Sequence, residues 1–309
     1  MKNSKLITLF STIKRDELSR LEDFVASPYF NSNPELLSFF QYLKELYPDF
    51  PDEAVRKESV FHALYPVLAF DKKKLGYMMT DLFKLIGRFL SIQRLENEAV
   101  LLECQTLSEY TERNLEKHYN YQVRGIHAML ENKAGFQIDQ LYYQYLLADI
   151  EARHFANQYV RKFDENLQRA ADALDDFYFF NKLKYSCEML NRQAILADQF
   201  SLPFMEEVRS FLSRKEDLQP LIAIYLQIYF SLLHPKHESY LDELMELIRR
   251  HSDDIHSLEL RDIYLYAINF CVRKIREGKE KYIAITLDLY EEGIHNKSLY
   301  DDKNHVSHW

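Results

Sequence analysis

Histidine is the first residue type to examine for chemistry, because imidazole is a common protein ligand for zinc and other transition metals. His234 and His237 stand three residues apart, His251 and His256 stand five apart, and neither pair forms an H-E-x-x-H motif. No third or fourth ligand can be named at a metal-binding spacing from either pair. We therefore expect no bound metal.

Catalytic groups are also hard to assemble from this sequence. Adjacent carboxylates such as Asp175 and Asp176 point about 100° apart on a helix, so they do not converge as an acid-base pair. No G-x-S-x-G motif occurs, and the six glycines are too dispersed to form a phosphate-binding loop. The three cysteines lie more than eighty residues apart, which excludes a C-x-x-C motif. We expect no enzymatic activity and no cofactor.

Basic residues concentrate at Lys72, Lys73 and Lys74, in a chain whose net charge is −9. Residues 1–95 carry a net charge of +2 and the rest −11, because the first part holds 14 basic and 12 acidic side chains and the remainder 25 and 36. Three consecutive lysines on a helix cannot all point one way, and no interleaved aromatic residues suited to stacking on bases accompany them. We expect no nucleic-acid partner. A regulator whose N-terminal bundle contacts DNA and whose helical array senses a peptide stays open as the alternative.

The elements that would position any site are helices, because six glycines and eight prolines in 309 residues leave few tight turns. Asn33-Pro34-Glu35 is a helix start signal, since asparagine caps the first turn and proline suits the first helical position. Asp71 is predicted to cap a longer helix whose apolar side chains follow one stripe. The sequence therefore predicts an all-α protein.

We expect a helix break at Lys133-Ala134-Gly135, followed by helical segments at residues 139–157, 160–175, 177–198 and 203–215. From Phe177 onward, a strongly apolar, tyrosine-bearing helix alternates three times with an acidic amphipathic helix. Tyr185, Tyr225 and Tyr264 mark the apolar members at spacings of 40 and 39, and Leu212, Ile248 and Tyr290 mark the amphipathic members at spacings of 36 and 42. A period near 40 is typical of helix-pair solenoids. We predict an N-terminal helical bundle (1–95), connecting helical hairpins (96–176) and an α-solenoid of antiparallel helix pairs (177–309).

A solenoid presents an inner surface to its partners, and polar side chains on the apolar helices are the best candidates for that surface. We assign partner binding to six residues on this ground: Lys184, Glu188, Arg192, Gln227, Asn269 and Arg273. The expected partner is a protein or a peptide.

Residues 177–293 resemble a tetratricopeptide-like helical array in architecture, although no unit carries that family's Trp, Leu-Gly and Tyr pattern. The opening segment around Ser27-Pro28-Tyr29-Phe30-Asn31 is similar to the N-terminal region of bacterial proteins that have long helical C-terminal parts and no assigned activity. The resemblance implies a non-catalytic module that binds proteins or peptides. It transfers no individual residue.

The sequence also predicts where the protein is located in the cell and whether the natural chain continues beyond residue 309. Sparse cysteines and a short N-terminal apolar run, Leu6–Phe10, favour a cytoplasmic protein with no membrane partner. Residues 221–233 are predicted to form a buried helix, since thirteen residues span only about 20 Å. Solenoids end in a capping helix, and the polar stretch from Asn296 to His308 does not have the pattern of one. We therefore expect the natural chain to continue beyond Trp309.

Overall fold

A computed structural model describes residues 1–131, 139–158, 162–193 and 199–295, with no side-chain description for 294 and 295. These residues form fourteen α-helices, one short 3₁₀ helix at Ser252–Asp254, and no strand, so the all-α prediction is confirmed for them. The helices are α1 (Lys5–Phe10), α2 (Glu17–Ala26), α3 (Pro34–Glu45), α4 (Lys57–Leu64), α5 (Lys72–Asn97), α6 (Ala99–Glu112), α7 (Glu116–Glu131), α8 (Gln140–Asn157), α9 (Glu165–Gln193), α10 (Met205–Leu212), α11 (Pro220–Leu233), α12 (Ser239–His251), α13 (Ser257–Arg276) and α14 (Lys281–His295).

Both predicted helix starts are present. The Asn33 side chain accepts a hydrogen bond from the Glu35 amide at 3.0 Å, with Pro34 in the first turn of α3. Asp71 Oδ1 accepts from the amides of Lys73 and Lys74 at 2.8 and 3.0 Å. Local capping chemistry therefore sets where α3 and α5 begin.

The chain divides into two compact units, Met1–Leu102 and Glu103–Trp309. The first unit buries one apolar core supplied by helices α1 to α5 and their connections, with Phe10, Phe39, Phe40 and Phe61 fully enclosed. The domain limits predicted at residues 95 and 176 stay predictions.

The core of the second unit runs from Leu141 to Leu289. In it α11 packs against α9, α12 and α13 and is buried on most of its surface, whereas α12 buries one side only. This packing of neighbouring helices is consistent with a helical-repeat architecture. The predicted buried helix at residues 221–233 is confirmed by α11, and among the described residues no helix is both long and apolar enough to cross a bilayer.

One detail of the predicted helix pattern is wrong. Residues 160–175 and 177–198 were expected to be separate helices, but α9 runs without a break from Glu165 to Gln193, because Asp175 and Asp176 supply neither a proline nor a glycine to stop it. Tyr185 and Tyr290 are exposed, whereas the residues at the equivalent positions of the other repeat units are buried, namely Tyr225, Tyr264, Leu212 and Ile248. On α14 the buried position is Leu289, one residue earlier. The predicted break at Gly135 and the C-terminal stretch 296–309 lie outside the described residues.

Candidate functional site

A cleft of 410 Å³ opens between α9, α11 and α13 of the second unit. Three of the six predicted partner-binding residues, Lys184, Glu188 and Asn269, line it. Its complete lining is Lys184, Tyr185, Glu188, Asn191, Tyr225, Asp262, Leu265, Tyr266 and Asn269. These three polar residues, predicted from the sequence, therefore lie on a concave surface that is built from three helices far apart in the chain.

A buried carboxylate holds one end of this cleft together. Glu259 is fully buried in the first turn of α13 and accepts hydrogen bonds from Lys184 Nζ at 2.5 Å and from the Tyr225 hydroxyl. The positive end of the helix dipole favours an acidic side chain at this place. Burial, reinforced by the Glu259 charge, raises the pKa of Tyr225, so its hydroxyl stays protonated and donates. The result is a fixed link from α9 to both α11 and α13.

A second link joins α9 to α13 one turn further along. Glu188 accepts from the Tyr266 hydroxyl at 3.1 Å and from Arg192 Nε at 2.6 Å. Burial is the main reason that the pKa of Tyr266 is raised. The Glu188 carboxylate is therefore committed to two donors, and the separation of α9 and α13 is fixed here by side chains rather than by backbone contact.

Beyond these links the cleft holds Asp262, which is paired with Arg261 at 3.4 Å, and two asparagines whose side chains are not committed. The side chains of Asn191 on α9 and Asn269 on α13 form no hydrogen bond with the described residues, and Asn269 is exposed. Tyr185 is 63% exposed at the rim. Each carboxamide offers two donors and one acceptor, so the open part of the cleft presents hydrogen-bonding capacity beside an aromatic ring.

The other three predicted residues do not line the cleft. Arg192 contacts it indirectly through Glu188. Gln227 has a buried side-chain oxygen without a hydrogen-bond partner among the described residues. The Arg273 guanidinium lies 5.4 Å from the centroid of the Phe270 ring. Its Nε and Nη2 atoms are buried and have no hydrogen-bond partner among the described residues, and burial lowers the pKa of the guanidinium. The partner-binding role of all six stays a prediction.

Sequence reasoning missed Asn191, Glu259, Asp262 and Tyr266. Asn191 follows Lys184 by seven residues, and Asp262, Tyr266 and Asn269 follow one another at i, i+4 and i+7, so each lies on a stripe that the sequence already showed. Glu259 gave no such signal. An acidic residue in a helix's first turn is usually solvated, and only the packing of three helices buries this one.

A larger cleft of 720 Å³ lies between α7, α8 and α9. Its central carboxylate is already paired, because Glu151 lies 3.1 Å from His127 Nε2 and 3.3 Å from Arg169 Nη2. These pairs join neighbouring helices and give the cleft a structural explanation. The cleft between α9, α11 and α13 is the stronger candidate because three of the six predicted partner-binding residues line it.

Metal ligands and reactive thiols were the other kinds of site considered in the sequence. Among the residues that the structure describes, no group of three His, Cys, Asp or Glu side chains is placed to hold a metal ion. The thiols of Cys104, Cys187 and Cys271 are buried, and burial raises the pKa of Cys104 and Cys271 to about 11, which disfavours a reactive thiolate.

Comparisons with protein-family models, curated proteins and solved structures give no match for this chain. The site must therefore be interpreted from its own geometry.

Proposed function

We propose that this chain is a non-catalytic helical-repeat module that binds a protein or peptide partner in the cleft between α9, α11 and α13. In this proposal α9, α11 and α13 are the inner helices of an α-solenoid that follows an N-terminal bundle, as in tetratricopeptide-like arrays. The alternation of an enclosed α11 with a one-sided α12 supports it, because the inner helix of each pair is covered by neighbours and the outer helix faces water.

The pair of uncommitted carboxamides, Asn191 and Asn269, is the observation that carries the proposal. A peptide group has one donor and one acceptor, and a carboxamide can satisfy both. Two carboxamides on helices held apart by the Lys184–Glu259 and Glu188–Tyr266 links form a pre-organised grip on an extended main chain. Tyr185 adds a large aromatic contact of the kind that dominates binding energy at interfaces.

The absence of catalysis and a cytoplasmic location belong to the same proposal. Three buried free thiols are compatible with a reducing compartment, since nothing in the described structure pairs them. The partner would be a protein or peptide rather than a nucleic acid.

The DNA-contacting alternative has weaker support. Lys74 is paired with Glu35 at 3.0 Å, which leaves Lys72 and Lys73 as the exposed members of the basic cluster. The affinity of a protein for duplex DNA depends on the number of phosphates that its Lys and Arg side chains neutralise. Two lysines are too few to favour duplex binding.

A peptide-selection experiment tests the proposal. The full chain is immobilised, a random peptide library is selected on it, and the affinity of recovered peptides is measured for wild type and for the double variant Asn191→Ala/Asn269→Ala. We expect the double variant to bind about 10- to 100-fold more weakly, as for the loss of two or three hydrogen bonds in a partly enclosed site.

Tyr185→Ala and Tyr178→Ala form a matched pair, because both tyrosines are exposed on α9 but Tyr185 alone lines the cleft. Tyr185→Ala should weaken binding and Tyr178→Ala should not. The variant Arg192→Ala/Arg273→Ala tests whether the predicted inner surface extends beyond the cleft. Recovery of no peptide at all, or of peptides indifferent to every cleft variant, would contradict the proposed function.

A further inference from the structure

The connection between α4 and α5 in the first unit exposes four consecutive apolar residues, Pro66, Val67, Leu68 and Ala69. Val67 is 96% exposed and Leu68 is 49% exposed. Single exposed apolar residues are ordinary, but a continuous run of four at a loop tip is a patch that water does not favour. We call residues 66–69 the apolar tip.

The apolar tip is held at both ends. Tyr65 and Phe70, which flank it, pack on the buried Phe61 ring with centroid separations of 5.0 and 5.6 Å. The Leu68 amide donates to the Tyr65 carbonyl at 3.2 Å, and the Tyr65 hydroxyl lies 3.2 Å from Met78 Sδ. Because the flanking residues are anchored in the core, the fold holds the apolar tip in its exposed position.

Exposed cations follow the tip directly. Lys72 and Lys73 are exposed and form no ion pair within the described residues, whereas Lys74 turns back to Glu35 and lies 3.8 Å from the centroid of the Tyr65 ring. Tyr77 lies one turn further along α5 and is 61% exposed, with Lys73 Nζ 5.9 Å from its ring centroid.

The nearby acidic groups form no ion pair with Lys72 or Lys73 in the part of the chain that the structure describes. Asp71 Oδ1 accepts from two backbone amides as the cap of α5. Glu35 is paired with Lys74, and a hydrogen bond from Tyr65 is the largest cause of its lowered pKa. The carboxylates of Asp71 and Asp81 lie near Lys73 and Tyr77 on the same surface, so Lys72 and Lys73 are distinguished by the lack of an ion pair within the described residues, not by a net excess of positive charge.

We propose that the apolar tip and Lys72–Lys73 form a contact site for an anionic lipid surface. The tip inserts Val67 and Leu68 at the boundary between headgroups and acyl chains, the two lysines face phosphate groups, and Tyr77 lies at the headgroup level, where aromatic side chains are enriched. This contact departs from the expectation of no membrane partner, because the sequence alone did not show that residues 66–69 are exposed.

The geometry favours lipid over other anionic partners. A nucleic acid would attract the lysines but would give no reward for the exposed Val67 and Leu68 side chains. A protein partner would need a pocket shaped to a convex tip. The boundary between headgroups and acyl chains accepts any projecting apolar side chain, and its phosphate groups attract lysines. A lipid surface can therefore contact both the apolar tip and Lys72–Lys73 without a complementary shape.

Vesicle flotation of the full chain tests this inference. The vesicles are phosphatidylcholine alone, or phosphatidylcholine with about one part in three of phosphatidylglycerol, and the assay is run at low and high salt. We expect binding to the anionic vesicles to be about tenfold stronger than to the neutral ones and to weaken at high salt. Lys72→Gln/Lys73→Gln should lower it about tenfold, and Val67→Ser/Leu68→Ser about fivefold.

The matched controls are Lys14→Gln/Arg15→Gln and Tyr29→Ser, which change exposed cations and an exposed aromatic side chain elsewhere in the same unit. They should bind vesicles as wild type does, and all variants should keep the wild-type circular dichroism spectrum. Absence of wild-type flotation, or flotation that both tip variants leave unchanged, would overturn the inference. So would a tip that binds a duplex DNA oligonucleotide instead, in a way that depends on the lysines but not on Val67 and Leu68.

Discussion

The two units leave opposite kinds of surface without a partner among the residues that the structure describes. In the first unit, a convex loop anchored by Tyr65 and Phe70 exposes apolar side chains beside two lysines. In the second unit, a concave cleft keeps two asparagine carboxamides free of hydrogen bonds within the described structure. A convex apolar tip suits a deformable partner, whereas a concave polar cleft suits a partner with defined hydrogen-bonding groups. On the basis of this contrast we propose that the two units have different binding chemistries.

The largest expected effect tests whether the two units are energetically separate. Phe40 is fully buried in the core of the first unit, so Phe40→Ala should lower the free energy of unfolding of that unit by about 3–5 kcal/mol. Hydrogen exchange followed by mass spectrometry should show faster exchange in α1 to α5 and wild-type exchange in α9, α11 and α13. The converse variant, Ile228→Ala in α11, should give the opposite pattern. If each variant accelerates exchange equally in both units, the contrast between them fails.

A smaller effect tests the link that shapes the cleft. Lys184→Met leaves the buried Glu259 carboxylate without its cation, and the free energy of unfolding of the second unit should fall by about 2–3 kcal/mol, since the lysine is partly solvated. Arg192→Met removes an exposed pair with Glu188 and should cost less than about 1 kcal/mol. Urea denaturation followed by circular dichroism compares the two variants. Equal losses would mean that Glu259 does not act as a buried anchor.

The smallest effect sharpens the contrast between committed and uncommitted polar groups in the second unit. Glu238 accepts hydrogen bonds from Lys279 Nζ at 2.7 Å and from Lys281 Nζ, and these lower its pKa from 4.5 to about 2. A lowered carboxyl pKa stabilises the folded state above the unfolded-state pKa, and this contribution is lost as the pH falls from about 4.5 to about 2.

Thermal unfolding measured across this pH range provides the check. Glu238→Gln should melt below wild type at neutral pH, and the difference should shrink through this window and vanish at its acid end. A difference that is independent of pH would show that the carboxylate charge does not matter. Glu246→Gln, which removes an exposed carboxylate paired with Arg250 on α12, serves as the control and should show a smaller dependence.

The sequence predicted the fold class and much of the candidate site for definite physical reasons. Few glycines and prolines leave helices as the main element, and the caps at Asn33 and Asp71 act locally, so both starts were predictable. Lys184, Glu188 and Asn269 were found because polar residues on apolar helices stand out. These signals need no knowledge of which helix packs on which.

The rest depended on tertiary packing. Tyr185 and Tyr225 match in spacing, but Tyr185 lies at a cleft rim and Tyr225 in the core, because the helices are rotated differently against their neighbours. Glu259 is buried by α9 and α11, which are distant in the chain. The exposure of Val67 and Leu68 depends on the anchoring of Tyr65 and Phe70 on Phe61. Composition and periodicity cannot show any of these.

Isothermal titration of a library-selected peptide into wild type and Asn191→Ala/Asn269→Ala tests the central claim most directly. The proposed grip predicts that wild type binds with one site and that the double variant binds about 10- to 100-fold more weakly with an unchanged melting temperature. Equal affinity for the two proteins would show that these carboxamides do not hold the partner, and would contradict the assignment of the cleft.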